Sequence, residues 1–431
     1  MDISFVVIFL GLLIFFAHLF NEFFNKTKIP NVLLLLLIGI ILGPVSGIVR
    51  PDYFGQVGRI FTTITLIVIL FESGISLKFA ELRRNIGSAT FITLFNFIGS
   101  SVIAALLATT LGRLDWISSL FLGAIVGGTS SAVVIPMVRQ LNIGEKSQVI
   151  LYLESVLSDV LCLVVGLAFL EGMMEGEIKI GGVFSGMWKS FLFAAILGVL
   201  AGTIWSVLLK NIRSIKNSMF TSLAFVFILY GFVEGIGYNG GIATLMFGIM
   251  LGNSETINSN KFFRKIFIIT TTNLTENERN FFGEIVFIMQ TYFFVYVGIN
   301  IQFGNLWTYL IGLMAVAIII IYRPLVTKLF APRGLDLRDL TTLSIMAPKG
   351  LVPAVLASIP LQLGIVNGER IQDLGYSIVL FSIIISSFLV IAYNNDPLIF
   401  TRVYKRKRPD AENETSISKK IDPEGDINDN W

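Results

Sequence analysis

The residues of this sequence that could do chemistry are a few charged and hydroxyl side chains inside long apolar stretches. Asp159 lies well inside one such stretch, and Glu154, Ser155 and Ser158 precede it. At about 3.6 residues per helical turn, Ser155 and Asp159 stack on one face, with Glu154 and Ser158 beside them. Carboxylate and hydroxyl oxygens that converge on one point suit a hard cation such as sodium or lithium. We therefore expect an ion site around Asp159, with a purely structural polar network as the alternative.

Two apolar stretches are interrupted by residues that break helices. The first break contains Gly127, Gly128, Thr129, Ser130 and Ser131, and the second contains Pro348, Lys349 and Gly350. Within a membrane such a break is tolerated only where it lines a cavity or is buried in protein. Two broken helices seven spans apart are typical of inverted-repeat secondary transporters, whose site lies near the midplane where the breaks cross. Two unrelated kinks near loops are the alternative.

Two further charges lie inside apolar stretches. They are Glu72 and Arg323, and a charge in the middle of a membrane helix costs roughly 2.5 to 3.5 kcal/mol. For these two we expect structural roles, in an ion pair or at a helix end, rather than a part in ion binding.

The composition indicates that the elements carrying these residues lie in lipid. Of 431 residues, 54% are hydrophobic and 14% are charged, whereas a soluble domain is charged at about a quarter of its positions. One cysteine and one histidine exclude a disulfide within the chain, cysteine-ligated metal clusters and paired-histidine zinc sites. The net charge of +3 is scattered between apolar stretches, so nucleic acid is not expected as a partner. We expect neither a cofactor nor an enzymatic activity.

The pattern of apolar stretches predicts an all-α polytopic membrane protein. Stretches long enough to cross about 30 Å of hydrocarbon number about thirteen. They cover residues 3–20, 30–49, 59–77, 86–110, 117–138, 147–170, 183–209, 219–237, 240–253, 282–301, 306–328, 340–362 and 371–400. The ninth is short, so twelve is the alternative count, but the flanking charges favour an odd number.

Lysine and arginine are concentrated in alternate loops and in the C-terminal tail. By the positive-inside rule, this asymmetry predicts an N-terminus outside and a C-terminus in the cytoplasm. Residues 1–401 form the predicted membrane domain. The tail, 402–431, is basic and then acidic, and we expect it to be disordered.

These motifs together resemble the monovalent cation:proton antiporter superfamily, in its NhaP-like sodium/proton exchanger branch. The resemblance covers residues 3–400. It rests on the segments 28–33 and 39–44, Phe71-Glu72-Ser73-Gly74, the break at Thr129, Glu154-Ser155 with Asp159, the segments 248–253 and 293–298, Tyr322-Arg323-Pro324-Leu325 and Pro348-Lys349-Gly350.

The resemblance implies a role for each candidate residue. Asp159 would bind cation and proton alternately, and Thr129 would lend an oxygen from the unwound segment. Glu154 and Ser155 would complete the sodium shell, with Ser158 where this branch usually has asparagine. Glu72 would pair with Arg323 to brace the core. At the second break, Lys349 stands where arginine is common.

The resemblance also implies an inverted-repeat fold divided into a scaffold and a moving core. The scaffold would comprise residues 1–77 and 219–301, and the core residues 86–170 and 306–400. The expected function is electroneutral exchange of sodium, or lithium, for a proton, by a homodimer in the plasma membrane. A potassium/proton antiporter is the alternative within the superfamily. A cation channel is the alternative from another class, but it would need rings of charge or carbonyls along a pore.

Overall fold

Apolar helices make up nearly all of the chain that the structure describes. The computed structural model describes residues 4, 8, 11–20, 30–78, 87–139, 143–175, 182–212, 219–254, 274–332 and 334–395. In chain order the helices are α1 Gly11–Phe20, α2 Asn31–Ile40, α3 Gly55–Ser76, α4 Ser88–Thr110, α5 Trp116–Val126, α6 Ser131–Arg139, α7 Glu145–Glu175, α8 Gly182–Ile212, α9 Met219–Gly235, α10 Gly240–Gly252, α11 Glu276–Asn300, α12 Leu306–Phe330, α13 Leu337–Ile345, α14 Leu351–Gln362 and α15 Gly368–Asn395. No strand occurs in these ranges.

The helices follow the predicted apolar stretches. Seven of them are long and apolar enough to cross a membrane, and six shorter apolar helices occupy the remaining predicted positions. Two of the shorter ones, α5 and α14, are each half of a broken span that α6 and α13 complete. The predicted all-helical polytopic architecture is therefore confirmed. The predicted disordered tail, 402–431, lies outside the described residues.

The second span departs from regular α-helix near its end. After Ile40 the chain forms a π-helical turn over Ile41–Val45, which contains Pro44. Proline has no backbone N–H and its ring crowds the preceding turn, so an ordinary α-helical hydrogen bond cannot form there. The widened turn keeps the span continuous to Val45.

Two helix pairs pack with their backbones in contact. A Cβ atom on Gly39 of α2 would lie 2.8 Å from the Cα atom of Gly298 of α11, and a Cβ on Gly74 of α3 would lie 2.9 Å from the Cα of Gly248 of α10. Real Cβ atoms do not approach so closely, so glycine is required on both sides of each contact. Small residues that allow such an approach are typical of helix packing in membranes. All four belong to the segments predicted to form the scaffold.

A second group of helices surrounds the broken spans. Helix α5 packs against α4 and α7, α12 packs against α4 and α15, and α14 packs against α15. This group meets the first where α14 contacts α3 and α11, where α7 contacts α3, and where α15 contacts α2. The two broken spans are therefore packed among helices of the predicted core, and the second of them touches the predicted scaffold at α3 and α11.

Candidate cation site

The two breaks are joined directly by a hydrogen bond. Helix α5 ends at Val126 and α6 begins at Ser131, while α13 ends at Ile345 and α14 begins at Leu351. The backbone N–H of Ser130 in the first break donates to the carbonyl oxygen of Pro348 in the second, at 2.8 Å. The predicted pair of broken, crossing helices is thus present.

The crossing is too tight for a side chain at Gly350. A Cβ atom built there would overlap the side chain of Ser130. Glycine is therefore needed in the second break because the first break passes against it.

Side chains of α7 satisfy the backbone of the first break. The N–H of Gly128 donates to the Sγ atom of Cys162 at 3.1 Å, and the N–H of Thr129 donates to the Oγ of Ser158 at 2.9 Å. The hydroxyl of Ser158 lies 3.2 Å from the carbonyl oxygen of Thr129, within hydrogen-bonding distance. Unpaired backbone groups are costly in hydrocarbon, so these bonds hold the unwound segment against α7.

Asp159 is held at one carboxylate oxygen. Its Oδ2 atom accepts from the backbone N–H of Ser131 at 3.2 Å and from the Ser131 hydroxyl at 2.6 Å. Within the described residues its Oδ1 atom has no hydrogen bond, and the residue is 7% exposed. One oxygen is therefore fixed by the start of α6, and the other is available to a ligand.

The charge of Glu154 is neutralised by Arg323. The guanidinium of Arg323 donates to both carboxylate oxygens, at 2.8 and 3.1 Å, and the Asn96 amide donates to Oε1 at 2.9 Å. Arg323 also donates to the carbonyl oxygen of Leu343 at 2.9 Å. That carbonyl lies in the last turn of α13, where the second break removes ordinary helical partners. The pair thus braces α7, α12 and α13 together.

The predicted pairing of Glu72 with Arg323 is therefore wrong. Glu72 accepts a hydrogen bond of 2.6 Å from Ser76, one turn further along α3. The buried guanidinium, which is 1% exposed, pairs with Glu154 instead. Charge complementarity alone could not choose between the two carboxylates, because both lie in apolar spans.

The predicted grouping of Glu154 with Asp159 needs a related correction. Five residues of α-helix rotate the side chain by about 140°, so Glu154 points away from the face that carries Asp159. The hydroxyl of Ser155 donates to the carbonyl oxygen of Tyr152 in its own helix, at 2.9 Å. Its oxygen keeps its lone pairs on the face of α7 that carries Asp159, so its role as a cation ligand stays a prediction. Two other members of the predicted shell, Thr129 and Ser158, are hydrogen-bonded to each other at the first break. Asp159 accepts its hydrogen bonds from Ser131 at the end of the same break.

Lys349 connects the second break to the first. Its Nζ atom donates to the carbonyl oxygen of Gly128 at 2.7 Å, and its backbone N–H donates to the hydroxyl of Ser382 at 2.8 Å. The side chain is 1% exposed. A cation placed just beyond the C-terminal end of α5 is favoured by the dipole of that half-helix. Lys349 therefore links the two breaks where they cross, by a hydrogen bond from its side chain to the first break.

Sequence reasoning missed three contributors to the site. The sequence pattern marks Ser131 only as a helix-breaking hydroxyl, and it does not assign Asn96 or Cys162 to the site. A signal was available for Ser131 and for Cys162. Ser131 begins the helix after the break, and Cys162 follows Ser158 by about one turn of α7. Asn96 comes from a distant span, and its sequence neighbours contain no signal of its role.

Together, the fold and the site define a polytopic helical membrane protein of the antiporter fold, with two broken helices crossing beside a buried carboxylate. The family described as "Sodium/hydrogen exchanger, transmembrane" matches residues 11–393. The chain belongs to this family.

Similar proteins include exchangers of two cations. The chain is 28% identical over 378 residues to the probable Na(+)/H(+) antiporter 2 of Methanocaldococcus jannaschii, covering 82% of this chain and 84% of that protein. It is 24% identical over 372 residues to the K(+)/H(+) antiporter NhaP2 of Shewanella sp. (strain MR-4), covering 84% of this chain. The chain spans only 61% of the length of that potassium/proton antiporter.

A solved structure shares the fold. The sodium proton antiporter MjNhaP1 from Methanocaldococcus jannaschii, solved at pH 8, superposes with a TM-score of 0.71 at 20% sequence identity. The match covers 90% of this chain and all of that one.

Proposed function

We propose that this protein is a secondary active transporter that exchanges sodium, or lithium, for a proton. The observation that carries the proposal is the geometry of Asp159, which lies at two crossed helix breaks with one oxygen bound and one available. A midplane carboxylate of this kind is typical of the ion site of inverted-repeat transporters.

The chemistry of the proposed site is competition for one charge. Asp159 is neutralised by either a cation or a proton, and neutralisation lowers the cost of moving it through a low-dielectric barrier. The hydroxyl oxygens of Ser131 and Thr129 are hard neutral ligands that suit sodium. Glu154 is not proposed as a ligand, because Arg323 occupies both of its carboxylate oxygens.

Alternating access requires the core to move against the scaffold. A cavity of about 490 Å³ lies between α7 and α14 of the core and α3, α9 and α10 of the scaffold. At its wall, the amide of Gln362 in α14 donates to the hydroxyl of Thr62 in α3 at 3.1 Å. Motion that opened the cavity would have to break this contact. We therefore propose that the cavity is part of the path by which ions reach Asp159.

The exchange function is tested in vesicles that contain the purified protein and a pH-sensitive dye. A sodium gradient should drive proton movement in the opposite direction, and the rate should saturate with sodium. Lithium and potassium are then tested one by one, because the relatives include both sodium and potassium exchangers. Flux that does not saturate and needs no counter-gradient would support the channel alternative instead.

We expect exchange to be electroneutral, with one cation per proton. Asp159 is the only group proposed to alternate, Ser158 cannot ionise, and the guanidinium of Arg323 does not deprotonate. With the membrane potential clamped by valinomycin and potassium, the initial sodium-driven rate should not change with the imposed potential. Potassium must first prove inactive as a substrate, since the clamp uses a potassium gradient.

A steep dependence on voltage would refute the one-for-one count. Lys349 is then the first group to test, because a buried lysine can lose its proton whereas arginine does not. Lys349→Arg should abolish the voltage dependence if that lysine carries the second proton.

Ser131 is predicted to set the affinity for the cation. Ser131→Ala removes a neutral ligand and one of the two hydrogen bonds to Asp159, an interaction of about 1 kcal/mol. The apparent KM for sodium should rise roughly fivefold, with little change in the maximal rate. Ser131→Thr should restore the affinity, because it keeps the hydroxyl.

Ser387→Ala is the matched control for this prediction. Ser387 is a buried serine of α15 outside the proposed site, and its hydroxyl donates to the carbonyl of Ile383 in its own helix, so removing it should leave the KM nearly unchanged. An equal rise in KM for both alanine variants would contradict the assignment of Ser131.

The membrane, the topology and the oligomeric state in which this activity occurs are also proposals. The distribution of basic residues favours an N-terminus outside and a C-terminus in the cytoplasm of a plasma membrane. The family resemblance favours a homodimer formed through the scaffold.

A further inference from the structure

A second cavity lies away from the proposed cation site, where three spans end together. It has a volume of about 460 Å³ and lies between the C-terminal end of α4 and the N-terminal ends of α12 and α15. Because these are the ends of membrane spans, the cavity is at the level of the membrane surface. Its main lining residues are Arg113, Arg370, Trp307, Thr308, Ile311 and Leu374.

The cavity concentrates unpaired positive charge. Within the described residues, neither Arg113 nor Arg370 forms an ion pair or hydrogen bond, and both are exposed. Both follow an even number of predicted spans from an N-terminus predicted to lie outside, so both are predicted for the outer face of the membrane. Two guanidinium groups lining one cavity are suited to a phosphate, which each can bind through two parallel hydrogen bonds.

The backbone of Arg113 is unusual in the same region. Its φ angle is 52°, in the left-handed region that non-glycine residues rarely adopt. The turn is fixed by a hydrogen bond from the N–H of Leu114 to the carbonyl of Ala108, at 3.0 Å. An arginine therefore occupies a backbone conformation that favours glycine, at a position that lines the cavity.

The ends of the helices add to the positive potential. The α12 and α15 helices both begin at the cavity, and the N-terminal end of a helix carries partial positive charge. The side chain of Asn305 caps α12 by accepting from the N–H of Trp307 at 3.1 Å. Glu369 lies in the first turn of α15 but does not line the cavity.

The lining also includes apolar side chains beside the lipid-facing surface, among them Trp307, Ile311 and Leu374. The indole N–H of Trp307 donates to the carbonyl of Leu111 at 3.2 Å, which fixes the ring at the rim. Tryptophan at this level is typical of the membrane interface. Leu106, Leu306 and Leu310 are exposed on α4 and α12, the helices that border the cavity. A phosphate held by the arginines would therefore have hydrocarbon surface beside it.

We propose that this cavity binds the phosphate headgroup of an anionic phospholipid, with the acyl chains lying along α4 and α12. The two arginines bind the phosphate, and the leucines contact the chains. Free inorganic phosphate shares the headgroup chemistry but cannot use the apolar surface.

The test titrates the full-length protein in a neutral detergent with phosphatidylglycerol, phosphatidylcholine or inorganic phosphate. Thermal unfolding and lipid retention in native mass spectrometry are measured. For the wild type, phosphatidylglycerol should raise the melting temperature and remain bound, and phosphatidylcholine should do so much less. Arg113→Gln combined with Arg370→Gln should lose this difference between the lipids.

Arg50→Gln is the matched control, because Arg50 is an exposed arginine predicted for the same face that does not line the cavity. It should keep the preference for the anionic lipid. If the double variant does not fold, each single arginine variant should show a reduced preference. Stabilisation by inorganic phosphate equal to that by phosphatidylglycerol would overturn the assignment to a lipid. An unchanged lipid preference in the double or both single variants would overturn the site.

Discussion

We expect Asp159→Asn to abolish cation/proton exchange and to leave the protein folded. The asparagine carbonyl oxygen can still accept the two hydrogen bonds from Ser131, so the start of α6 keeps its anchor. The amide has no negative charge for the cation and no proton to release at any working pH. Sodium-driven dye signals in vesicles should fall to the level of protein-free vesicles, while the melting temperature stays close to that of the wild type.

Asp115→Asn is the control for this change. Asp115 is an exposed carboxylate that caps α5 by accepting from the N–H of Ser118, and asparagine caps helices equally well. This variant should exchange cations at the normal rate. If Asp159→Asn also did so, the ion site would have to lie elsewhere.

The second large effect is expected at the buried pair of Arg323 and Glu154. Arg323→Met alone leaves a buried carboxylate, and Glu154→Leu alone leaves a buried guanidinium, so each should destabilise the protein by about 3 to 5 kcal/mol. The double variant replaces both charges with apolar groups and should recover much of that loss. The stabilities of the two single variants and the double variant are compared with that of the wild type by thermal unfolding in detergent.

Glu72→Gln distinguishes the observed pair from the one expected from the sequence. Glu72 contacts Ser76 on its own helix, so its neutralisation should change the melting temperature far less than Glu154→Gln does. Lys328→Ala, which removes an exposed charge about one turn after Arg323, should also have little effect. Equal melting temperatures for Glu154→Gln and the wild type would contradict the bracing role of the pair.

The elements of the fold could be predicted because their signals are local. Apolar stretches give the spans, and the breaks are visible where Gly127 and Gly128, or Pro348 and Gly350, interrupt them. The partner of Arg323 could not be found in this way. Glu72 and Glu154 are both carboxylates in apolar spans, and only the tertiary structure, which brings Asn96 of α4 and Arg323 of α12 to Glu154, decides between them.

The site could be predicted only in part, because some of its contacts depend on tertiary structure and not on local sequence. Helical periodicity stacks Ser155 and Asp159 on one face of α7, whereas Glu154 lies about 140° around the helix from Asp159, so nearness in sequence does not bring it to the site. The role of Ser131 depends on the direction in which α6 starts, and a sequence of small polar residues does not specify that direction.

The hydrogen bonds of the first break have a consequence for the proposed coupling of cation flux to proton flux. The N–H groups from Gly128 to Ser131 all have protein partners: Cys162, Ser158, Pro348 and Asp159 in turn. No solvent is therefore needed to satisfy these four N–H groups. A chain of water through the crossing would conduct protons without any cation and would dissipate the gradient that drives transport. For the proposed exchanger, we therefore expect little proton leak across the crossing in the absence of a transported cation.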